Sequence, residues 1–481
     1  MLGHVTDYRN LVGGRLVPAA DGRTLDSVNP ATGEVWARIP ASGPADAEAA
    51  VEAARNALPR WSAMPALGRA QFLRKVSELF LRHTEELAIL ETTDNGRILR
   101  DTLNRDLPGM AHLWQLAAAQ CLEAVTGDTV ILGPSALGMT RREPYGVVVC
   151  IIPWNSPIST FSAKAAFALA AGNTVIVKPA EQAAASVLRL GEILADVLPP
   201  GVLNIVSGMG EDVGEALVRH RDVAKISLTG STETALAITR AAGVKPLTFE
   251  LGGKSPNIVF PDADLDKAAE GVTVNSIYTG NAGQVCVAGS RILIHRSIWD
   301  DMLARVTRIA EGLVLGDPLD LATTMGPIVS AGQYERVSSY LEIAEKEGAE
   351  LVFGARTGAD VVASMPGGYW VSPTLYTTRD NGLRICQEEI FGPVAVALPF
   401  DTDDEALALA NDSRYGLAAG LWTRDLARAH RFVRDLRSGT VWVNTFRQMP
   451  PGLPFGGVKD SGYGHDAVLA YTREKAAIIQ T

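Results

Sequence analysis

Hydrophobic and polar positions follow two regimes along the chain. Residues 45–60 and 66–92 repeat apolar side chains every three to four positions, the period of amphipathic helices; the first opens after Pro44 with Asp46 in its first turn. From Tyr145 the pattern changes. Val147–Ile152 is an unbroken apolar run of strand length, as a parallel strand buried on both faces requires. Pro157–Ala171 has helical period and stops at Gly172-Asn173. Strand Thr174–Lys178, helix Ala184–Val197, strand Val202–Val206, helix Val213–His220 and strand Val223–Leu228 follow. Strands that regularly alternate with helices predict an α/β, doubly wound sheet. A second α/β stretch begins near Gly253, with strand Asn257–Val259, helix Leu265–Tyr278 and strand Arg291–His295, and alternates to about Asn444. Thr126–Glu143 alternates weakly and is expected to form a protruding hairpin.

Charge and composition narrow the function classes. A net charge of −10 over 481 residues, with no basic tract, argues against nucleic acid and against anionic membrane surfaces. Phe161–Val177 comes closest to a membrane span, but Lys164, Gly172 and Asn173 interrupt it. Met1–Asn10 is polar and has no apolar signal core, so a cytoplasmic protein is expected. Four cysteines without a CxxC pair do not make a disulfide scaffold. Seven scattered histidines show no HxxxH or HxxEH spacing, so no metal site is expected.

Several segments carry chemistry-bearing residues, each with a bland alternative. Gly208, Gly210 and Gly214 follow a strand and open a helix; their backbone N–H groups suit a phosphate, or they make only a tight turn. Ser231, in Gly230-Ser231-Thr232-Glu233, caps the next helix or touches a phosphate. Lys178 and Glu181 end a strand, where ligands of open α/β sheets collect; they suit ribose hydroxyls or are solvated charge. Glu250 sits in an apolar, Gly-rich setting that would desolvate its carboxylate and raise its pKa toward that of a general base, unless it is structural. Cys286, reached through Gly280-Asn281 and Gly283, is an accessible nucleophile or a buried inert thiol.

The order of these segments is more telling than any one of them. Pro153-Trp154-Asn155, Lys178-Pro179-Ala180-Glu181, Gly230-Ser231-Thr232-Glu233, Glu250-Leu251-Gly252-Gly253-Lys254, Gly283-Gln284-Val285-Cys286, Glu388-Glu389-Ile390-Phe391-Gly392-Pro393 and Pro454-Phe455-Gly456-Gly457 together resemble the NAD(P)-dependent aldehyde dehydrogenase superfamily. The resemblance runs from about Asn29 to the C-terminus.

It implies Cys286 as nucleophile, through a thiohemiacetal and a thioester, Glu250 as general base, Asn155 as oxyanion donor and Lys164 on a proton exit route. It implies NAD as cofactor, with NADP less favoured. Trp154, Lys178, Glu181, Gly210, Gly214, Gly230, Ser231, Leu251, Glu389 and Phe391 would hold it. Ser156, Ser159, Thr160, Ala163, Phe446, Arg447, Met449 and Phe455 would line the aldehyde pocket. Its small helix face suits a bulky, aromatic or functionalised aldehyde. Arg447 either pairs with a remote carboxylate or hydroxyl of the substrate or makes a surface salt bridge. By the same resemblance, 1–125 and 145–251 form a cofactor domain, 252–460 a catalytic domain, and 126–144 with 461–481 an oligomerisation arm of a homodimer or homotetramer. The C-terminal block reads Gly464-His465-Asp466 where the family often has Gly-Arg-Glu, which leaves any part for Asp466 in proton transfer open. Two alternatives stay open: a CoA-acylating semialdehyde dehydrogenase, which usually lacks the base at Glu250, and an inactive structural relative.

Overall fold

The computed structural model describes residues 5–450 and 452–480. Two sheets organise the molecule. In the first, strands Leu247–Glu250, Val223–Thr229, Val147–Ile152, Thr174–Pro179 and Leu203–Ile205 lie side by side in that order, all parallel. Val147–Cys150 is fully buried, as its apolar run predicts. Antiparallel strands close both edges: Asn10–Val12 with Arg15–Val17 on one side, Gly462–Tyr463 on the other. The second sheet runs Glu350–Phe353, Thr374–Thr377, Val394–Phe400, Arg291–His295, Pro256–Val259, Ala418–Trp422, Thr440–Val443 and is parallel apart from its first strand. Among the described residues no helix is long and apolar enough to cross a membrane.

Two expectations need correction. The helix expected over 66–92 is two, Ala66–Arg82 and Thr84–Asn95. The Thr84 hydroxyl donates to the Phe80 carbonyl at 2.8 Å, a back-bond that bends helices, and Glu85-Glu86 opens the second helix with favourable first-turn charge. The helix expected over Leu265–Tyr278 stops at Val272. Thr273 bonds back to the Ala269 carbonyl at 2.5 Å while its backbone turns to φ −110°, ψ −96°, ending the helix within a β-branched Val272-Thr273-Val274 run. The 461–481 stretch divides. Gly462–Tyr463 pairs with Phe249–Glu250 in the first sheet, and Thr472–Gln480 pairs in register with Ala136–Pro144, the second strand of the hairpin begun by Thr129–Gly133.

Candidate active site

Parallel strands end on one edge, so the first sheet delivers Glu250, Gly230-Ser231, Trp154-Asn155 and Lys178–Glu181 to the same side. Chain order runs outward from Val147–Ile152 to Leu203–Ile205, then returns to place Val223–Thr229 on its other flank. The switch in direction lies where Trp154-Asn155 and Gly230-Ser231 leave adjacent strands, the crevice in which such sheets take ligands.

A cleft of about 1150 Å³ opens there. Trp154, Asn155, Gly230, Ser231, Glu250, Leu251, Cys286, Glu389 and Phe391 line it, and so do Ser156, Ser159, Thr160, Ala163, Phe446, Arg447, Met449 and Phe455. Lys164 lies behind this lining, fully buried. Lys178, Glu181, Gly210 and Gly214 stand outside the cleft. Lys178 Nζ meets Glu181 Oε2 at 3.0 Å at the strand end. Gly210 is exposed, whereas Gly214 is buried and its N–H donates to the Met209 carbonyl at 3.4 Å. Ser231 caps helix Thr232–Ala242, its Oγ accepting from Thr234 N at 3.1 Å.

The Cys286 loop is held by its own turns. Ala282 and Gly283 take φ of +49° and +69°, and a Cβ on Gly283 would overlap the Gly392 carbonyl. Gln284, buried, donates to the carbonyls of Asn281 and Pro327 and accepts from Val329 N. The Asn155 amide donates to the Gln284 carbonyl at 2.9 Å, and Asn281 donates to the Asn155 carbonyl at 2.8 Å. One Nδ2 hydrogen of Asn155 is thereby fixed, which orients the other. Asn281 and Gln284 as supports were visible in the sequence only as parts of the glycine-rich approach.

Burial pushes the Cys286 thiol up to about 12, with Glu250 and Glu389 adding to the rise. Of the four cysteines, all unpaired, it is the one that is half-buried, facing the cleft, while the others are fully enclosed. Burial likewise lifts Glu250 to about 8, and the adjacent Asp466 carboxylate adds to it. Asp466 itself keeps its charge. Lys164 Nζ donates to it at 2.8 Å, and Tyr471 Oη at 2.5 Å. Its carboxylate therefore reaches the lysine despite being shorter than glutamate. Glu389, lifted by burial to about 7, accepts from Gly253 N at 3.1 Å; a Cβ on Gly252 would overlap its carboxylate. Phe391 stands at φ +60° with its ring edge-on to Trp154, centroids 5.1 Å apart.

The aldehyde dehydrogenase family model matches residues 16–478. The chain belongs to the aldehyde dehydrogenase family. It is 43% identical to a betaine aldehyde dehydrogenase from Cereibacter sphaeroides over 98% of this chain and 96% of that one. It is 41% identical to an acetaldehyde dehydrogenase from Pseudomonas aeruginosa over 95% and 91%. A mutant of the P. syringae indole-3-acetaldehyde dehydrogenase AldA, solved with NAD+ and IAA, superposes with a TM-score of 0.96 at 38% identity, covering 100% and 98% of the two chains. These relatives carry three different substrate names, so family membership fixes aldehyde oxidation and leaves the aldehyde to this chain's own cleft.

Proposed function

We propose that the enzyme oxidises an aldehyde to its carboxylic acid through a thioester on Cys286, with NAD as hydride acceptor. The observation that carries this is the placement of Cys286 and Glu250 in one cleft, where burial keeps Cys286 a thiol and lifts Glu250 to about 8, so that its ionised form is a base strong enough to draw a proton from that thiol. Glu250 takes the thiol proton, and the sulfur adds to the carbonyl carbon. The new alkoxide accepts from the free Asn155 amide hydrogen and the Cys286 N–H. The chemistry NAD supplies when bound is acceptance of the hydride lost from the thiohemiacetal carbon, which leaves a thioester. Glu250 passes the thiol proton on to Lys164 and Asp466 and, ionised again, takes a proton from water as the water oxygen adds to the thioester carbonyl; the C–S bond breaks, Cys286 leaves as thiolate, and the acid departs. Its presence in the cleft favours water over CoA as acceptor. Lys164 and Asp466 carry that proton away.

The residues present fit the cofactor. Lys178 offers a donor and Glu181 an acceptor to vicinal ribose hydroxyls, and the Glu181 carboxylate would repel a 2′-phosphate, so NAD is preferred to NADP. Gly210 and Gly230-Ser231 offer backbone at the phosphates. Glu389 faces the cleft beside Phe391 for the nicotinamide ribose. The small side chains of Ser156, Ser159, Thr160 and Ala163 leave room for a bulky, aromatic or functionalised aldehyde. We assign 1–125 and 145–251 to the cofactor, 252–460 to catalysis, and the hairpin with Thr472–Gln480 to assembly. Val130, Ile131, Leu132, Ile478 and Ile479 expose apolar surface on this arm, Ile131 to 83%, which supports a homodimer or homotetramer. Four unpaired cysteines suit the reducing cytoplasm.

Cys286→Ser tests the mechanism. It should lower turnover beyond about 1,000-fold while NAD binding, read by intrinsic fluorescence, persists, because a serine hydroxyl has no usable anion near neutral pH. Acid-quenched wild type should carry the acyl mass on the Cys286 peptide. Wild-type turnover in the serine variant would remove the thioester from the mechanism.

A further inference from the structure

One end of the cleft, where Arg447 feels the charges of Arg97, Arg105, Asp101 and Asp106, is cationic. Arg447 lines it together with Arg97 and Arg105, beside the apolar Met110, Phe446 and Met449. Two acids share this end, and both are already claimed. Asp106 accepts from Arg97 Nε at 2.5 Å, Arg97 Nη2 at 3.2 Å and Arg105 Nε at 3.3 Å. Asp101 accepts from Arg105 Nη2 at 3.1 Å and lies 4.0 Å from Arg97 Nη2. Arg100 also lines the cleft, exposed to solvent, so four arginines face two aspartates; of the two left without an ion pair among the described residues, Arg447 is the more enclosed. Among the described residues it makes no hydrogen bond and no ion pair, so the surface salt bridge that the sequence allows is not formed.

Arg447 is held in the cleft rather than left there by chance. On one side, Phe446 is buried with its ring 4.8 Å from that of Trp442; on the other, Trp442 Nε1 donates to the Gln448 carbonyl at 2.7 Å. Between these two anchors Arg447 takes φ +58°, a left-handed conformation that costs a residue other than glycine energy and persists where its surroundings enforce it. Burial and the neighbouring Arg97 and Arg105 charges push its guanidinium down to about 10, which still leaves it charged at neutral pH. Its charge also reaches Cys286, whose thiol it pulls down against burial. A guanidinium with all its donors unused, desolvated and in electrostatic range of the nucleophile is a site for an anion that arrives with the substrate.

We propose that the cleft selects aldehydes bearing a carboxylate at the end remote from the carbonyl, with Arg447 binding that carboxylate while the carbonyl meets Cys286. This rests on the thioester reading above. It adds the charge of the substrate, which that reading leaves open. The remaining wall, Met110, Phe446 and Met449, packs against the spacer between the two ends. A cationic aldehyde such as betaine aldehyde meets like charge there and is a poor substrate.

The test uses the full-length enzyme with NAD and charge-matched pairs: 4-formylbenzoate against its methyl ester, and 6-oxohexanoate against hexanal, with betaine aldehyde as the cationic arm. In wild type each acid should exceed its neutral partner in kcat/KM by roughly 10- to 100-fold, mainly through KM. Added salt should narrow the gap. Arg447→Gln should bring both ratios near one. Arg447→Lys, a point charge without the planar fork, should restore part of the preference. Neutral partners used as well as the acids, a ratio that survives Arg447→Gln, or a preference for betaine aldehyde would overturn the selection and leave aldehyde oxidation standing. No NADH from any of the five aldehydes would overturn the oxidation and this inference together.

Discussion

The buried ionisable groups around the cleft divide into two populations. Behind its wall, Lys164, Asp466, Ser227 and Tyr471 spend their polarity on one another: Lys164 donates to Asp466 and to Ser227 at 2.9 Å, and Asp466 also accepts from Ser227 and Tyr471. At its surface, Cys286 and Arg447 have no side-chain partner among the described residues, and Glu250 has a long contact from Thr229 at 3.4 Å beside the Asp466 carboxylate. All were costly to bury. The first population recovers that cost within the fold; the second recovers it from what enters the cleft. Substitutions in the first should therefore appear chiefly as lost stability, and in the second as lost turnover or altered selectivity.

Lys164→Met gives the sharpest break of this contrast. It leaves Asp466, only 6% exposed at its side chain, as a buried carboxylate without its cation. Removal of one partner from such a pair costs about 3–5 kcal/mol. Urea unfolding should show this loss, and the Lys164→Met, Asp466→Asn double variant should recover part of it. Unchanged stability in the single variant would mean that the network does not bear on the fold, and turnover alone would then measure its share in proton exit.

Glu250→Gln should do the reverse, with near-native stability and steady-state turnover lowered about 100-fold, since an amide cannot take the proton of the attacking water. Rapid mixing should show an NADH burst followed by a slow phase. In wild type, the steady-state rate should fall as the pH drops below about 8, where Glu250 gains its proton and ceases to be a base. The glutamine variant should lack that limb. A burst-free variant with the same pH profile as wild type would exclude Glu250.

Much of this was legible in the sequence, for identifiable reasons. Strands buried on both faces must be apolar throughout, so Val147–Ile152 and Thr174–Lys178 stand out without any partner being known. The helix ends at Arg82 and Val272 were not legible, because Thr84 and Thr273 mark them by hydroxyl bonds to nearby backbone within otherwise helical patterns. The residues expected to line the pocket do meet in one cleft: Ser156, Ser159, Thr160 and Ala163 come from the start of the helix that follows Val147–Ile152, and Phe446, Arg447, Met449 and Phe455 from the segment after Thr440–Val443. The charge network was not legible. Lys164 and Asp466 are 302 positions apart, and Arg97, Asp101 and Arg105 have the spacing of ordinary surface pairs on a helix. Only when those pairs close on themselves does Arg447 emerge as the enclosed charge left without a partner, beside the exposed Arg100.

The width of the cleft gives the smallest expected effect and the most direct probe of its shape. Ser156, Ser159, Thr160 and Ala163 occupy one face of the helix that starts at Pro157, and all four line the cleft half-buried. Ser156 and Thr160 lie 3.3 Å apart through their hydroxyls, so this wall is fixed by local contacts and does not depend on a larger side chain folding over it. Phe446, Met449 and Phe455 line the same cleft and offer apolar surface to a ring or an alkyl spacer. Ala163→Trp places an indole in that cleft. A long or aromatic aldehyde then loses the volume it needs, whereas acetaldehyde, which fills little beyond the carbonyl position, loses less. The ratio of kcat/KM for an aromatic aldehyde to that for acetaldehyde should fall about tenfold, the scale on which hydrophobic pockets discriminate by size. Equal losses on both substrates would mean that the indole disturbs Asn155 and Cys286 rather than the pocket, and a best wild-type rate on acetaldehyde would mean that the open wall is not used by substrate at all.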